Sequence, residues 1–385
     1  MSLVEQAWWG TPPPWPARLL VWLLLPLAAL FGAVAALRGW RFARGLAAAV
    51  PAAAPVISVG NLAVGGAGKT PVAVAIARRL QAKGRVVAVL SRGYGATRGD
   101  DRVVADGRAV LLPAGEGGDE PVLIARRLPG VRVLCGPRRA GLVPRALALG
   151  ADALLLDDGF QHRALARDLD VVVLDAANPV GNGHLLPAGP NREPLSALRR
   201  AGLVWLSRVD QADPALLARW RQAAREATGR PPVESRHAPV DVVDGALGAS
   251  LGLEALRGVR VLLLSGLARP GAFRRTVEGL GAVVAAERRY PDHHRFTAAE
   301  VDEALAAAAA AGCARVVTTE KDAVRLDPAR AAHARLAVVR IEAEVVAGED
   351  VLQAALDAAL EAGRRRAGAR RADRAAATPG PGAPA

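Results

Sequence analysis

Lysine is nearly absent from this chain. Of 50 basic side chains only three are lysines, Lys69, Lys83 and Lys321. Arginine stands almost everywhere else, as a GC-rich genome encourages, so a surviving lysine asks for a reason. Arginine's planar fork cannot replace a compact ammonium in a phosphate cradle, whereas Lys83 reads as an ordinary helix-end residue. Cysteine is scarce too. Cys135 and Cys313 lie far apart in apolar, strand-like stretches. That excludes a disulfide framework and a cysteine-based metal site, and suits two buried thiols in a reducing cytoplasm. Only two of the six histidines are adjacent, His293 and His294 beside Asp292, with no further Cys/His cluster near. A zinc site is not expected there, whereas a catalytic or substrate-contacting histidine is. There is no internal repeat. Acidic charge falls short as well, leaving a net charge of +13. Residues 363–385 hold six arginines against one Asp and have no core formers, which predicts a disordered, solvated basic tail without a nucleic-acid partner.

What is present is a globular α/β composition, 51% hydrophobic and 23% charged over 385 residues, enough for two domains. Leu19 to Leu37 is 19 residues without a charge, bracketed by Arg18 and Arg38. As a helix it reaches about 28 Å, close to the roughly 30 Å hydrocarbon core of a bilayer. Trp8, Trp9, Trp15 and Trp40 flank it like an aromatic belt. Arg38, Arg41 and Arg44 outweigh Arg18, which places the C-terminal bulk on the cytoplasmic side.

The chain is organised around residues 55–84. Val56 to Val59 read as a buried strand, Asn61 to Gly68 as a glycine-rich loop, and Lys69-Thr70-Pro71 as the start of a helix that ends near Lys83. A strand, a glycine-rich loop and Gly-Lys-Thr at a helix start describe a P-loop. In it, the backbone of Gly65, Gly66, Ala67 and Gly68 cradles phosphate oxygens at a helix N-terminus. Lys69 reaches the β- and γ-phosphates and Thr70 binds Mg²⁺. The strict pattern has glycine where this chain has Ala63.

Further strands are expected at Val86–Leu90, Val131–Leu134, Ala153–Leu156, Val171–Leu174 and Leu203–Leu206, with helical stretches between several of them. Buried strands alternating with helices mean a mostly parallel, doubly wound sheet whose ligands bind beyond the strands' carboxyl ends. The charged and glycine-rich motifs fall at those ends. Leu154 to Asp158 resembles a Walker B strand, with Asp157 and Asp158 toward Mg²⁺. Pro231 to Val243 read as a linker containing a strand. A second α/β unit follows, with strands at Val259–Leu264 and Arg315–Thr318, a Thr297/Glu300 capping box, and a strand at Leu336–Ile341 that could pair with the linker strand. Asp350 to Ala362 form a last helix. The expected division is therefore 1–50 anchor, 51–230 P-loop domain, 231–250 linker, 251–345 second domain, 346–362 helix and 363–385 tail.

The ordered motifs resemble the tetraacyldisaccharide 4′-kinases of lipid A synthesis. They are Val-Gly-Asn-Leu-Ala-Val-Gly-Gly-Ala-Gly-Lys-Thr-Pro (59–71), Ser-Arg-Gly-Tyr-Gly (91–95), Gly-Asp-Glu-Pro (118–121) and Asp-Asp-Gly-Phe-Gln-His (157–162). Leu-Leu-Pro-Ala-Gly-Pro (185–190), Arg-Glu-Pro-Leu-Ser (192–196), Asp-His-His (292–294) and Thr-Glu-Lys-Asp (319–322) follow. Ala63 is no departure within that family, while Asn191 stands where an apolar residue is usual.

The resemblance implies two α/β/α domains, a P-loop domain and a smaller second one, joined by a two-stranded linker with nucleotide at the cleft, behind an N-terminal membrane helix. It implies transfer of the ATP γ-phosphate to the 4′-hydroxyl of tetraacyldisaccharide 1-phosphate with Mg²⁺. The enzyme would act at the cytoplasmic side of a bacterial inner membrane, without an obligate protein partner. By matching motif, Asp119 is the general base, oriented or tuned by His293 from the second domain, and Lys69 and Arg138 stabilise the transferring phosphoryl. Thr70, Asp157 and Asp158 manage the metal, and Lys321 closes over the nucleotide. Arg92, Tyr94, Gln161 and His162 contact the acceptor, and Arg192 and Glu193 contact the acceptor or the metal shell. Two rivals remain at this stage. One is a membrane-tethered P-loop GTPase or ATPase switch, although Thr-Glu-Lys-Asp is not the guanine-reading Asn-Lys-x-Asp. The other is a nucleotide-binding scaffold, which gives Asp119 and His293 no task.

Overall fold

The computed structural model describes residues 2–10, 12–93, 100–267 and 270–377, with side chains described as far as residue 368. Twelve strands are present among them: β1 (Val56–Gly60), β2 (Val87–Ser91), β3 (Arg102–Asp106), β4 (Arg132–Cys135), β5 (Ala153–Asp157), β6 (Leu169–Asp175), β7 (Leu203–Ser207), β8 (Val233–Asp244), β9 (Arg260–Ser265), β10 (Val283–Arg289), β11 (Arg315–Thr319) and β12 (Leu336–Ala347). The sequence reading lacked β3 and β10. β3 has only two fully buried residues and β10 none, so neither carries the continuous apolar run that marks a covered strand.

Contacts divide the chain into two compact units. The first holds residues 1–92, 138–236 and 345–385, and the second holds 93–137 and 237–344. This differs from the boundaries expected from sequence, because 93–137 groups with the second unit. Side-chain chemistry explains the grouping. Arg127, buried at the end of the helix Asp119–Arg127, pairs with Glu320 and Glu342 at 2.5 and 2.8 Å.

In the first unit the strand order is β8-β7-β6-β1-β5-β2, and these neighbours pair in parallel. β1, β2, β5 and β7 are buried at every position, as strands covered on both faces must be. The helix Lys69–Ala82 buries Val72 to Ala77 and Leu80 against this sheet. Gly60, the last residue of β1, lies against Phe160. A Cβ there would stand 2.5 Å from the Phe160 Cβ and 2.6 Å from its backbone N. Gly60→Ala is therefore expected to destabilise the fold by about 1–3 kcal/mol through overpacking. An unchanged chemical-denaturation midpoint would contradict that close approach.

In the second unit the order is β10-β9-β11-β12-β8. β3 and β4 form an antiparallel pair in the same unit. The linker strand and the late strand are neighbours, as the sequence suggested. The Thr297/Glu300 capping box is formed at the start of the helix Ala298–Ala310.

The N-terminal apolar run is one helix, Trp15–Ala43, of 29 residues, long and apolar enough to cross a membrane by length and composition. Trp22, Leu23 and Leu30 are 70%, 67% and 63% exposed, an apolar face without protein cover. A short helix, Leu3–Trp9, precedes it behind a Ser2/Glu5 capping box. Its Trp8 indole donates to the Pro187 carbonyl at 3.1 Å.

The disordered tail expected from residue 363 is corrected over its first part. The last helix runs from Glu349 to Ala377. Leu352, Ala355, Leu356, Ala359 and Leu360 are buried. Gly363 passes so close to Pro55 that a Cβ would stand 2.5 Å away. Arg366 closes a two-armed pair with buried Asp168, at 2.5 and 2.7 Å. Helix propagation is easy once a turn is anchored, and alanine and arginine are strong helix formers.

Candidate active site

The first unit builds a glycine-rich loop at a helix head, of the form that can cradle phosphate. β1 delivers the chain into the loop 61–68. Gly65 and Gly68 sit at φ 102° and 86°, a backbone region costly for other residues. Gly68 is the N-cap of the helix that Lys69 and Thr70 open. Loop carbonyls are tied from outside. The Ser207 hydroxyl, at the end of β7, donates to the Ala67 carbonyl at 2.7 Å. Arg208 donates to the Gly66 carbonyl and pairs with Asp175 at 2.7 Å. Pinning carbonyls in this way favours turning the loop's N–H groups toward an anion.

Asp157 and Asp158 stand at the carboxyl end of β5, beside β1. Buried Asp157 accepts from the Ser91 hydroxyl at 3.1 Å. Asp158 is in the left-handed region, φ 49°. That is a strained position for a non-glycine residue, of the kind that collects at functional sites. Lys69 Nζ is 3.7 Å from Asp158 Oδ1, and Arg192 donates to Oδ2 at 2.8 Å. Burial works to raise the Asp158 pKa, but Lys69, Arg192 and Arg139 outweigh it and hold the carboxylate below its ordinary value. Among the described residues, no three His, Cys, Asp or Glu side chains form a ready metal cage. Hard oxygen donors from two carboxylates and a threonine nevertheless suit Mg²⁺. That ion is commonly held by one or two carboxylates together with substrate phosphates.

Several expected residues fall differently from their sequence reading. Arg138 is exposed at the N-cap of the helix Arg139–Ala148. Its neighbour Arg139, which sequence reasoning passed over, is 6% exposed and donates to the backbone carbonyls of Asp157 and Asp158. Glu193 is buried between Arg200 and Arg163, at 2.6 and 3.2 Å, so it braces the loop that presents Arg192. Asn191 is a structural residue here. Its amide donates to the Val180 and His184 carbonyls, both at 2.9 Å, and its backbone bridges to Ala63. Gln161 donates to the Asn61 carbonyl at 3.0 Å, and Arg92 is exposed just beyond β2. Tyr94 lies outside the described residues.

His162 is half-buried, and its Nε2 has no hydrogen-bond partner among the described residues. Burial first, then the charges of Arg139, Arg167 and Arg38, push its pKa down to about 4 from 6.5. Between pH 6.5 and 4 the unfolded chain therefore takes up a proton that the folded chain refuses. Stability falls as pH falls through that window. His162→Gln is expected to flatten the decline of Tm between pH 6.5 and 4. An unchanged slope would exclude His162 as a source of it.

The second unit builds a carboxylate cluster. Gly118, at φ 88°, turns the chain into the helix that Asp119 opens. Asp119 Oδ2 accepts from Arg325 Nε at 2.7 Å and faces His293 Nδ1 at 3.5 Å. Burial would raise the Asp119 pKa, but the His293 hydrogen bond and the Arg325 charge together hold it below the usual carboxylate range. His293 is itself at φ 62°, again a strained position for a side-chain-bearing residue. His294, by contrast, stacks on Tyr290 with ring centroids 4.5 Å apart and pairs with Glu300 at 3.0 Å. The adjacent histidines thus have separate tasks. Lys321 donates to Asp292 at 3.0 Å and to His293 Nε2 at 3.2 Å.

Comparison with known proteins follows the same outline. A model of the family described as tetraacyldisaccharide-1-P 4′-kinase matches residues 20–361. A tetraacyldisaccharide 4′-kinase of Anaeromyxobacter sp. (strain Fw109-5) is 70% identical over 365 residues, covering 94% of this chain and 98% of that protein. One from Syntrophus aciditrophicus is 40% identical over 330 residues, covering 83% and 88%. Among solved structures, LpxK from Aquifex aeolicus in complex with ATP superposes with a TM-score of 0.72 at 29% identity, covering 89% of this chain and 99% of that one. The family match runs from the apolar helix to the last helix and takes in both the cradle and the carboxylate cluster, which leaves the switch and scaffold readings without support. This chain belongs to the tetraacyldisaccharide-1-P 4′-kinase family.

Proposed function

We propose that this enzyme transfers the γ-phosphate of ATP to the 4′-hydroxyl of tetraacyldisaccharide 1-phosphate, in lipid A synthesis. One observation carries most weight. A glycine-rich loop places Lys69 at a helix head, 3.7 Å from an aspartate at the end of the neighbouring strand. That is the working end of a phosphoryl-transfer site.

Each side chain then has a role. The backbone of residues 65–68 cradles the phosphates. Lys69 neutralises charge on the transferring group and Thr70 opens the helix beneath it. Thr70, Asp157 and Asp158 would hold Mg²⁺, which when bound screens the phosphate charge. Buried Arg139 anchors the backbone of both aspartates, a more central place than exposed Arg138. Asp119 accepts the proton of the attacking hydroxyl, and His293 orients it. A carboxylate held below its usual pKa is a weak base, yet a loose phosphoryl-transfer transition state asks for positioning more than for early proton removal. Arg192, Gln161, His162, Arg92 and Tyr94 remain acceptor-side contacts. Lys321 supports His293 from its Nε2 side and remains a nucleotide-side contact.

The apolar face of the helix Trp15–Ala43 rests in the inner membrane, with the catalytic units on its cytoplasmic side. An acceptor with four acyl chains stays in the bilayer, so an anchored enzyme searches for it in two dimensions. Arginines near the anchor favour its anionic phosphate.

The test is transfer of label from [γ-³²P]ATP to tetraacyldisaccharide 1-phosphate in detergent micelles with Mg²⁺. Labelled lipid is expected. ATP or GTP hydrolysis without labelled lipid would overturn the proposal and favour a switch.

A further inference from the structure

We propose that Arg325 is the positioning residue of the base. It holds Oδ2 of Asp119 so that Oδ1 is the oxygen offered to the acceptor hydroxyl. The inference rests on the kinase reading above, and nothing in the motifs pointed to it.

The geometry begins at the turn 319–325. Thr319 caps it, its hydroxyl accepting from the Asp322 N–H at 3.2 Å and donating to Asp322 Oδ2 at 2.8 Å. This turn carries two cations four residues apart, Lys321 and Arg325, each facing a different part of the cluster. Arg325 is 2% exposed in its side chain and Asp322 is fully buried. Its guanidinium bridges two carboxylates, Nε to Asp119 Oδ2 at 2.7 Å and Nη1 to Asp322 Oδ1 at 3.1 Å. Its Nη2 is buried without a hydrogen-bond partner among the described residues. A planar fork locked at two points cannot swing, which is what fixing a carboxylate rotamer requires.

The same turn sets the histidine. The Lys321 ammonium can only donate, so His293 Nε2 accepts and neutral His293 carries its proton on Nδ1, toward Asp119. Arg325 and His293 therefore both address Oδ2. Oδ1 takes no hydrogen bond among the described residues. The charged groups around Asp119 are His293 from the segment after β10 and Arg325 from the turn after β11. Lys321, Asp292 and Asp322 lie one step behind, and Glu120 follows on its own helix.

The experiment compares wild type with Arg325→Gln and Arg325→Lys. The pH dependence of kcat is measured together with a ¹³C titration of the Asp119 carboxyl without substrate. Removing the cation should raise the Asp119 pKa, moving the acid limb of kcat and the titration midpoint up together by about one unit. The KM values for ATP and lipid should change less than about twofold, because only the base is disturbed. Arg325→Lys, which keeps the charge, should restore the limb to near its wild-type position. A lowered kcat with limb and midpoint unmoved would reduce Arg325 to a structural residue and overturn the proposal.

Should Arg325→Gln not fold, Asp322→Asn carries the same test with the opposite sign. Relieved of its second carboxylate, Arg325 turns its full charge on Asp119, and the midpoint moves down. An unmoved midpoint again overturns it. The titration needs no turnover, so failure of wild type to label lipid would count against the kinase reading alone.

Discussion

Asp119→Asn is expected to lower kcat by about 10²–10⁴-fold, the usual contribution of a positioned general base. ATP affinity should stay close to wild type, because the phosphate cradle is built from other residues, Gly65 to Thr70, in the other unit. Asparagine is the informative choice. Alanine would leave Arg325, 2% exposed, without one of its two carboxylates, and unpairing a buried charge costs about 3–5 kcal/mol. A slow Ala variant could simply be a poorly folded one. The Asn variant keeps the shape and one acceptor oxygen for Arg325, and loses the negative charge together with the capacity to take a proton. Single-turnover transfer from ATP in micelles, alongside nucleotide binding by calorimetry, separates the two effects. Unchanged single-turnover rates would remove Asp119 from the reaction.

Lys69→Ala is expected to lower kcat/KM for ATP by about 10²–10³-fold or more, as when a preorganised charge at the reacting group is deleted. Lys69→Arg should not restore it, because the loop 65–68 accommodates a point charge on a slim stem rather than a planar fork. The fold should tolerate both changes. Among the described residues Lys69 has no ion pair shorter than its 3.7 Å approach to Asp158, and Asp158 keeps the Arg192 contact at 2.8 Å. A variant with wild-type Tm and no transfer is the expected result. Activity within threefold of wild type would sink the cradle assignment.

Much of the site could be read from the chain because its chemistry is local. Gly65 to Thr70 must be contiguous to make the cradle, and Asp157-Asp158 must follow an apolar strand. Spacing alone therefore exposes both. A one-residue choice that depends on packing is not legible in the same way. Between Arg138 and Arg139, helix geometry decides which guanidinium turns under the β5 end, and the sequence offers no sign of it. Arg325 lies three residues past the Thr-Glu-Lys-Asp motif, and nothing in that motif marks its pairing with Asp119. The 363–385 tail was misjudged because its composition lacks core formers. Its first turns are held instead by a buried helix upstream and by the Arg366–Asp168 pair.

By itself, then, the sequence determined the family, the P-loop, the doubly wound sheet and the long apolar N-terminal helix. Each depends on residues adjacent along the chain or on periodicity, which backbone sterics and burial translate directly into structure. Only the tertiary structure decided that 93–137 joins the second unit, how far His293 stands from Asp119 and that buried Arg325 pairs with Asp119, whereas the choice of His293 over His294 was already what the family resemblance implied. Those outcomes depend on groups 174 and 206 positions apart along the chain. Contacts at such separations are selected by packing and charge pairing in the folded state, where no local pattern records them.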